Sequence, residues 1–473
     1  MNEIKPEKFF IYISLIVGLL FVFIIPPMQS PDENSHFKRA YTISKLDFYP
    51  KQVNSIIGFT IENDILDFVE DSQNSLSTLD DKYNFSKLYY SQFLERNYRG
   101  ETFVTFSTVQ TTPFAYTFSS LGIIFSKIFS KIIYKISAPP LFMLLFARLF
   151  NLIGYILITY FAIKKTPKFK KSMCFIALLP MCLFLAATVS YDVLLIPLSF
   201  LYFSIFLNIV YNDNIKKINV KHFFLLLLIG FIFLNVKTVY ISLYSLMFFI
   251  PKEKINIKYK NKKAIYLCLL ILSIFILTFI NKIPTLFLNS SNTTNDIVNK
   301  QINWVISHPI NASKIVLSNM YNQFGYQLSS IIGKFGLLDT NLPGVIVFIV
   351  ACSLFLVTIS DASKEKIKIN YKLKITLFIS VFISIVLIYS VHYVLWSPAN
   401  LNKYGSSLTD IIGVQGRYFL PLLFAFILLF SNKLICKNKY IDRACTIVLN
   451  NSYLLSIISI TSSFIIILLR FWI

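Results

Sequence analysis

The chain has 473 residues, of which 55% are hydrophobic and 16% aromatic, with a mean hydropathy of +0.64 and a formal net charge of +22. A composition this apolar excludes an ordinary soluble domain. About 20 apolar residues at 1.5 Å rise cross a hydrocarbon core, and such runs recur along the whole sequence. The runs are continuous rather than alternating, which excludes a β-barrel, and the positive charge sits in short loops between them rather than in a nucleic-acid-binding patch.

Taken in order, the apolar spans fall at about 9–27, 139–163, 171–189, 191–211, 221–236, 238–250, 264–281, 343–360, 372–394, 415–432 and 452–472. The sequence therefore predicts an all-α polytopic membrane protein of about 11 spans (range 10–13), folded as one integral membrane domain over 1–473. The first span is too long for a secretory signal and no A-x-A site follows it, so it reads as a retained anchor. Segment 113–134 is apolar but interrupted by Lys127 and Lys131.

Charge parity decides how that segment is placed. Five lysines lie in 164–171, six in 251–263 and five in 364–374, with further basic clusters at 216–221 and 433–443. If 113–134 stays on one side of the bilayer and the N-terminus is cytoplasmic, all five clusters face the cytoplasm. If it crosses, all five face out. The positive-inside rule selects the first arrangement. Segment 113–134 is then interfacial or re-entrant, and three parts lie outside: the loop 28–138, the loop 282–342 and the shorter stretch 395–414. None of the six cysteines falls in these parts, so no disulfide framework is predicted.

Under this topology several ionisable residues gather at the outer ends of different spans. Asp32 and Glu33 follow the first span in Ser30-Pro31-Asp32-Glu33. Arg148 lies about two turns into the second. Asp192 follows Ser190-Tyr191, Lys237 marks the tip of a hairpin, and Arg417 stands in Gly413-Val414-Gln415-Gly416-Arg417-Tyr418. Ionisable groups at membrane depth usually face a bundle interior or a cavity. Each also has a plain structural reading. Ser30, Pro31 and Glu33 have the spacing of a helix start with a capping box, which leaves Asp32 as the surplus acid. Asp192 suits a helix first turn, and Arg148 and Lys237 have stems long enough to snorkel. His36 and Arg39 share a helix face with Asp32 at i+4 and i+7. Gly413 and Gly416 permit close backbone approach beside a guanidinium suited to phosphate.

Pro31-Asp32-Glu33-Asn34-Ser35-His36, together with Gly413 to Tyr418, resembles the two end motifs of a bacterial family of polytopic membrane proteins of unknown function. Leu179-Pro180-Met181, Ser190-Tyr191-Asp192, and Gly333-Lys334-Phe335-Gly336 with Asp339 are similar to further blocks of that family. The family in turn resembles the GT-C glycosyltransferases, and Pro113-Phe114-Ala115-Tyr116 leading to Ala147-Arg148-Leu149 is similar to the interfacial helix and second span of that class. The resemblance implies a GT-C-like bundle whose outer loops carry interfacial helices. It also implies a transferase that moves a sugar from a polyprenyl-phosphate donor to a cell-surface glycan or lipid-linked acceptor, and a single displacement would invert the anomeric centre. The site would lie at the extracytoplasmic face of the bacterial plasma membrane.

By the same resemblance Asp32 or Glu33, with Asp192, are the catalytic acids; the basic residues at the same level, Arg417, Lys237 and Arg148, are then suited to stabilise the donor phosphate. His36, Arg39, Gln415 and Tyr418 line the substrate. A divalent cation, Mg or Mn, on Asp32 and Asp192 is optional in the class. Membrane lipids are the other partners implied, and nucleic acid is not. The alternatives are a surface-polysaccharide polymerase or ligase and a lipid-linked glycan flippase; the absence of a visible internal repeat disfavours the flippase.

Overall fold

The computed structural model describes residues 4–76, 78–84, 100–257, 259, 261–285, 288, 293–364, 369–398, 409–431 and 439–473. Much of the stretch 395–414 and of the basic cluster 433–443 lies outside these residues.

Among the described residues, seven helices are long and apolar enough to cross a membrane: Pro6–Ile24 (α1), Pro140–Lys165, Asp192–Tyr211, Lys262–Thr285, Gly344–Ser363, Tyr371–Trp396 and Ser452–Phe471. They coincide with seven of the eleven apolar runs. The other four runs are shorter or broken for local reasons. Pro180 cannot continue a helix, so the run 171–189 divides into Lys170–Ala177 and Pro180–Ala186. The hairpin at Lys237 joins α-helix Val220–Val236 to Thr238–Phe249, which is a 3₁₀-helix rather than an α-helix. At about 2.0 Å rise per residue its 12 residues reach further than the same number in an α-helix. The run 415–432 begins with a 3₁₀ turn, Gly416–Phe419, before helix Leu420–Leu428.

In chain order, α1 is followed by α2 (Glu33–Ser44), a β-hairpin of β1 (Lys51–Val53) and β2 (Ile56–Glu62), α3 (Asn63–Asn74) and β3 (Glu101–Val104). The three strands form one antiparallel sheet, with Lys51 opposite Gly58 and Phe59 opposite Val104. This sheet, within the loop 28–138, is a small exception in a mostly helical chain. Segment 113–134 forms a 3₁₀ turn, Pro113–Tyr116, then α4 (Thr117–Phe129) and a π-turn to Tyr134. Among the described residues this segment is not one of the helices long and apolar enough to cross a membrane. It lies along α5 (Pro140–Lys165), where a Cβ at Gly122 would strike the Phe146 backbone. Lys127 turns inward, donating to Ser44 Oγ at 3.0 Å and lying over the Tyr41 ring at 4.5 Å.

The remaining helices are α6 (Lys170–Ala177), α7 (Pro180–Ala186), α8 (Asp192–Tyr211), α9 (Val220–Val236), α10 (Lys262–Lys282), α11 (Thr293–Ser307), α12 (Pro309–Asn322), α13 (Phe324–Gly333), α14 (Gly344–Lys364), α15 (Tyr371–Val391), α16 (Leu420–Leu428), α17 (Lys439–Asn450) and α18 (Ser452–Phe471). The core is centred on α6, α7 and α8, whose residues are almost all buried. On α18 a stripe of buried serines, Ser452, Ser456, Ser459 and Ser463, allows close packing of the kind membrane helices use. The block Gly333 to Asp339 makes a two-residue strand pair, Lys334–Phe335 with Thr340–Asn341, whose turn puts Gly336 at φ +63°. There Asp339 accepts from Arg470 Nε and Nη2 at 3.1 and 3.0 Å, so this motif ties its loop to α18. The five described cysteines are free thiols.

Candidate functional site

The chain leaves α1 at Pro26-Pro27, two residues with no N–H to continue the helix. It then turns sharply, with Met28 at φ 61° and Asp32 at φ 60°. The left-handed region is one that Asp tolerates better than most side chains. Asp32 occupies the cap position of α2, yet its carboxylate makes no capping bond. The capping box read from the sequence does not form. Ser30 Oγ donates instead to Thr188 Oγ1 at 3.4 Å, and α2 begins at Glu33, so Glu33 is not at the third helical position.

Glu33 has a different role. Its two oxygens accept from Arg148 Nε and Nη2 at 2.8 and 2.7 Å, and Oε1 also accepts the Val189 backbone N–H at 2.9 Å. Arg148 turns its remaining N–H groups to the carbonyls of Val22, Ile25 and Pro26 at 3.2, 2.6 and 3.0 Å. All of these groups are buried. The sequence reading grouped Glu33 with the catalytic acids and Arg148 with the phosphate ligands. In the fold they satisfy each other, and they fasten the Asp32 turn to both α5 and the approach to α8.

Arg417 is the centre of the site. It is entirely buried, and Nη1 donates to Asp192 Oδ2 at 3.3 Å and to the Pro31 carbonyl at 3.1 Å, while Nη2 is paired with Asp32. Asp192 is fully buried, whereas the Asp32 side chain is 45% exposed and reaches the protein surface. Burial works to raise the Asp32 pKa. The Arg417 guanidinium, by charge and by hydrogen bond, with Lys237 behind it, overrides this and holds the carboxyl below its usual range. Lys237 lies over the Tyr418 ring, 2.9 Å from its centroid, and 5.9 Å from that of Tyr191. His36 Nδ1 meets Tyr116 Oη at 2.7 Å and its ring packs on Tyr191 at 4.7 Å. Burial pushes the His36 pKa down to about 3, so the ring is a neutral imidazole at any physiological pH.

Five polar atoms in this cluster are buried without a hydrogen-bond partner among the described residues: His36 Nε2, Asp192 Oδ1, Lys237 Nζ, Gln415 Oε1 and Arg417 Nε. Buried polar atoms are rarely left so, and five together mark a place built for a polar ligand or water. Arg39 is not part of the cluster. Its guanidinium donates to the carbonyls of Thr111, Asp47 and Phe48 and to Thr42 Oγ1. Asp32 and Asp192 do not fit a divalent cation, because the Arg417 guanidinium already stands between them. No group of three or more His, Cys, Asp or Glu suited to a metal occurs among the described residues.

Arg417 is aimed by a device that the motifs did not announce. The extended segment before it runs along α12 and α13, whose polar side chains recur at helical spacing. Asn319 donates to the Thr409 carbonyl and accepts the Ile411 N–H, at 2.8 and 3.0 Å. Gln323 donates to the Ile411 carbonyl at 2.7 Å, Gln327 to the Val414 carbonyl at 3.1 Å, and Ser330 Oγ accepts the Gly416 N–H at 3.1 Å. This side-chain ladder does for a lone extended segment what a neighbouring strand would do. Two glycines make the approach possible: a Cβ at Gly416 would overlap the Ser330–Ile331 backbone, and Gly413, at φ +83°, lies against Trp396. The i, i+4, i+8 spacing of Asn319, Gln323 and Gln327 was visible in the sequence, as were Tyr116 and Tyr191. Nothing in the sequence said which backbone or ring each would meet.

The molecule is thus an all-α polytopic membrane protein with a buried charged cluster opening beside its first loop. It belongs to the family of predicted membrane proteins designated DUF2142, whose model matches residues 15–426. No curated protein and no solved structure matches the chain.

Proposed function

We propose that this protein is a membrane glycosyltransferase of the GT-C kind. In this reading it transfers a sugar, with inversion, from a polyprenyl-phosphate donor to a glycan or lipid-linked acceptor at the outer face of the bacterial plasma membrane. One observation carries the proposal: a half-exposed carboxylate, Asp32, is held by a wholly buried Arg417 beside an unpartnered Lys237 ammonium. That is a base beside two buried cations. The orientation rests on the lysine distribution.

The chemistry assigned to each group follows from its surroundings. The acceptor oxygen bonds to the anomeric carbon, its proton passes to the Asp32 carboxylate, and the carbon–oxygen bond to phosphate breaks with its electron pair leaving on polyprenyl phosphate. Attack opposite the departing phosphate inverts the centre. A carboxylate kept ionised by Arg417 is always ready to accept the proton, which the hydroxyl releases late, as positive charge builds on the sugar. The Nη groups of Arg417 are engaged by carboxylates, so Lys237 and the unpartnered Arg417 Nε are the donors with room for phosphate. Asp192 keeps Arg417 in place.

A hydrocarbon tail also has a seat. An apolar cavity of about 290 Å³ lies between α13, α14, α15 and α16, walled by Leu328, Leu354, Ile385, Phe419 and Leu423. Phe419, in its wall, is two residues from Arg417, and in this reading the phosphate of a tail seated there reaches toward the cations.

The test is turnover by the purified protein in lipid nanodiscs. Wild type is expected to release polyprenyl phosphate from a polyprenyl-phosphate sugar, and Asp32→Asn to lose on the order of 100-fold or more. Wild-type turnover in Asp32→Asn would remove Asp32 from the chemistry. Turnover with a lipid-diphosphate oligosaccharide alone would replace the reading with a polymerase or ligase. Movement of either lipid across the bilayer without bond cleavage would replace it with a flippase.

A further inference from the structure

A second cleft lies on the other side of the Pro113–Tyr116 turn, and it is amphipathic. Its upper part, about 300 Å³, is lined by Thr111, Thr112, Gln110, Asn235, Asn281 and Lys282, with Phe48 and Tyr49 at its edge. Its lower part, about 480 Å³, is walled by Phe114, Phe224, Leu227, Leu228, Phe231 and Leu277. Tyr49 and Asn281 line both, so the two adjoin. From Asn235 to Phe224 the groove follows α9 for 11 residues, about 16 Å along the helix.

The upper part is built for hydroxyl groups rather than for charge. Arg39, though it borders the pocket, is engaged with backbone carbonyls. Apart from the exposed Lys282, what remains is amides and hydroxyls, which match the mixed donors and acceptors of a sugar. Asn235 and Asn281 are already arranged in a chain: Asn281 Nδ2 donates to Asn235 Oδ1, and Asn235 Nδ2 to Thr278 Oγ1, both at 3.0 Å. Thr112, only 4% exposed, has a hydroxyl without a partner among the described residues. A buried hydroxyl left without a partner beside a pocket fits a polar ligand or a water. Phe48 and Tyr49, each 41% exposed, offer flat aromatic faces of the kind on which the C–H faces of sugars stack.

We propose that this cleft binds a glycolipid, its sugar in the upper pocket and its hydrocarbon chain in the groove between α9 and α10. Two connectors tie it to the charged cluster. Thr112 is four residues from Tyr116, which holds His36, and Asn235 is two residues from Lys237. Naming that glycolipid the acceptor rests on the transferase reading; the binding site itself does not.

The experiment uses the full-length protein in nanodiscs of phosphatidylglycerol and phosphatidylethanolamine. The probe is a dihexosyl diacylglycerol carrying a diazirine in one acyl chain. One control is phosphatidylglycerol carrying the same chain. Ultraviolet labelling is expected in peptides 224–231 and 277–281 with the glycolipid. Thr112→Val and Asn281→Leu, which keep side-chain volume, are each expected to reduce it about tenfold while phospholipid labelling stays constant. Leu228→Trp, which fills the groove without touching the polar pocket, should reduce glycolipid labelling as well. Equal labelling by both lipids, or labelling unmoved by all three variants, would show only the lipid annulus and overturn the proposal. Asp32→Asn separates the two readings: it should abolish transfer and leave the labelling unchanged. Labelling without any transfer activity in wild type would keep the glycolipid site and discard the transferase.

Discussion

Glu33 and Arg148 meet in a two-pronged ion pair, 2.8 and 2.7 Å long, with 0% and 1% of their side chains exposed. Every oxygen and nitrogen of the pair has a partner, including the Val189 N–H and three carbonyls at the end of α1. A pair so buried contributes modestly to net stability. Removing one member is severe, because it leaves a charge with no compensation.

The first prediction follows from that asymmetry. Glu33→Gln or Arg148→Met is expected to destabilise the protein by about 3–5 kcal/mol. The double variant should recover part of this loss, since it leaves neither charge unpaired. Thermal unfolding in detergent measures all three. Single variants that melt with wild type would mean the pair does not hold the Asp32 turn.

The second prediction concerns the side-chain ladder. Asn319→Leu removes both the donor to Thr409 and the acceptor for the Ile411 N–H, a group in a fully buried residue. Leaving that N–H unpaired should cost about 1–3 kcal/mol, localised to the segment before Arg417. Hydrogen exchange at 411–416 should speed up while the α1–α5 contact stays protected. Uniform exchange across the protein would show that the ladder does not act locally.

How much of this was legible beforehand depended on whether a signal was local. Hydropathy located all seven long helices, because a span is a property of consecutive residues. Pro180 marked the break in 171–189, and Gly416 marked a close approach. Ser30, Pro31 and Glu33 misled for the same reason: they carry a local capping pattern, but Glu33 lies 115 positions from Arg148 and 156 from Val189, and that long-range pairing won. Asp32, Asp192, Lys237 and Arg417 were recognisable as unusual charges at similar depth, and the fold brings them together. Their division of labour was not legible. Arg417 occupies the gap between two acids, and Lys237 keeps an open valence, because of packing that no spacing rule encodes.

The third prediction tests orientation. Alkaline phosphatase fused after Lys217, between α8 and α9, is expected to be inactive, as a cytoplasmic fusion. Fused after Lys282, at the end of α10, it is expected to be active. The reverse pattern would put the basic clusters outside and the Asp32 cluster at the cytoplasmic face, against the positive-inside bias.

The fourth prediction is a pH dependence centred on Lys237. Burial of its ammonium dominates and pushes its pKa from 10.5 down to about 7; the nearby Asp192 and Asp32 carboxylates oppose the shift and Arg417 reinforces it. In the unfolded chain the lysine stays protonated up to 10.5, so between the two values the unfolded state binds the extra proton. Stability should therefore rise with pH from about 7 toward 10.5 and show no Lys237 contribution to the slope below about 7. Lys237→Met should remove that slope, measured as melting temperature between about pH 6 and 9. Donor binding should run the opposite way. A phosphate favours the protonated ammonium, so the KM for a polyprenyl-phosphate donor should climb as pH passes about 7 in wild type and stay level in Lys237→Met. A wild-type melting temperature flat across this range, with a KM that does not move, would show that the Lys237 ammonium is solvated and faces no ligand.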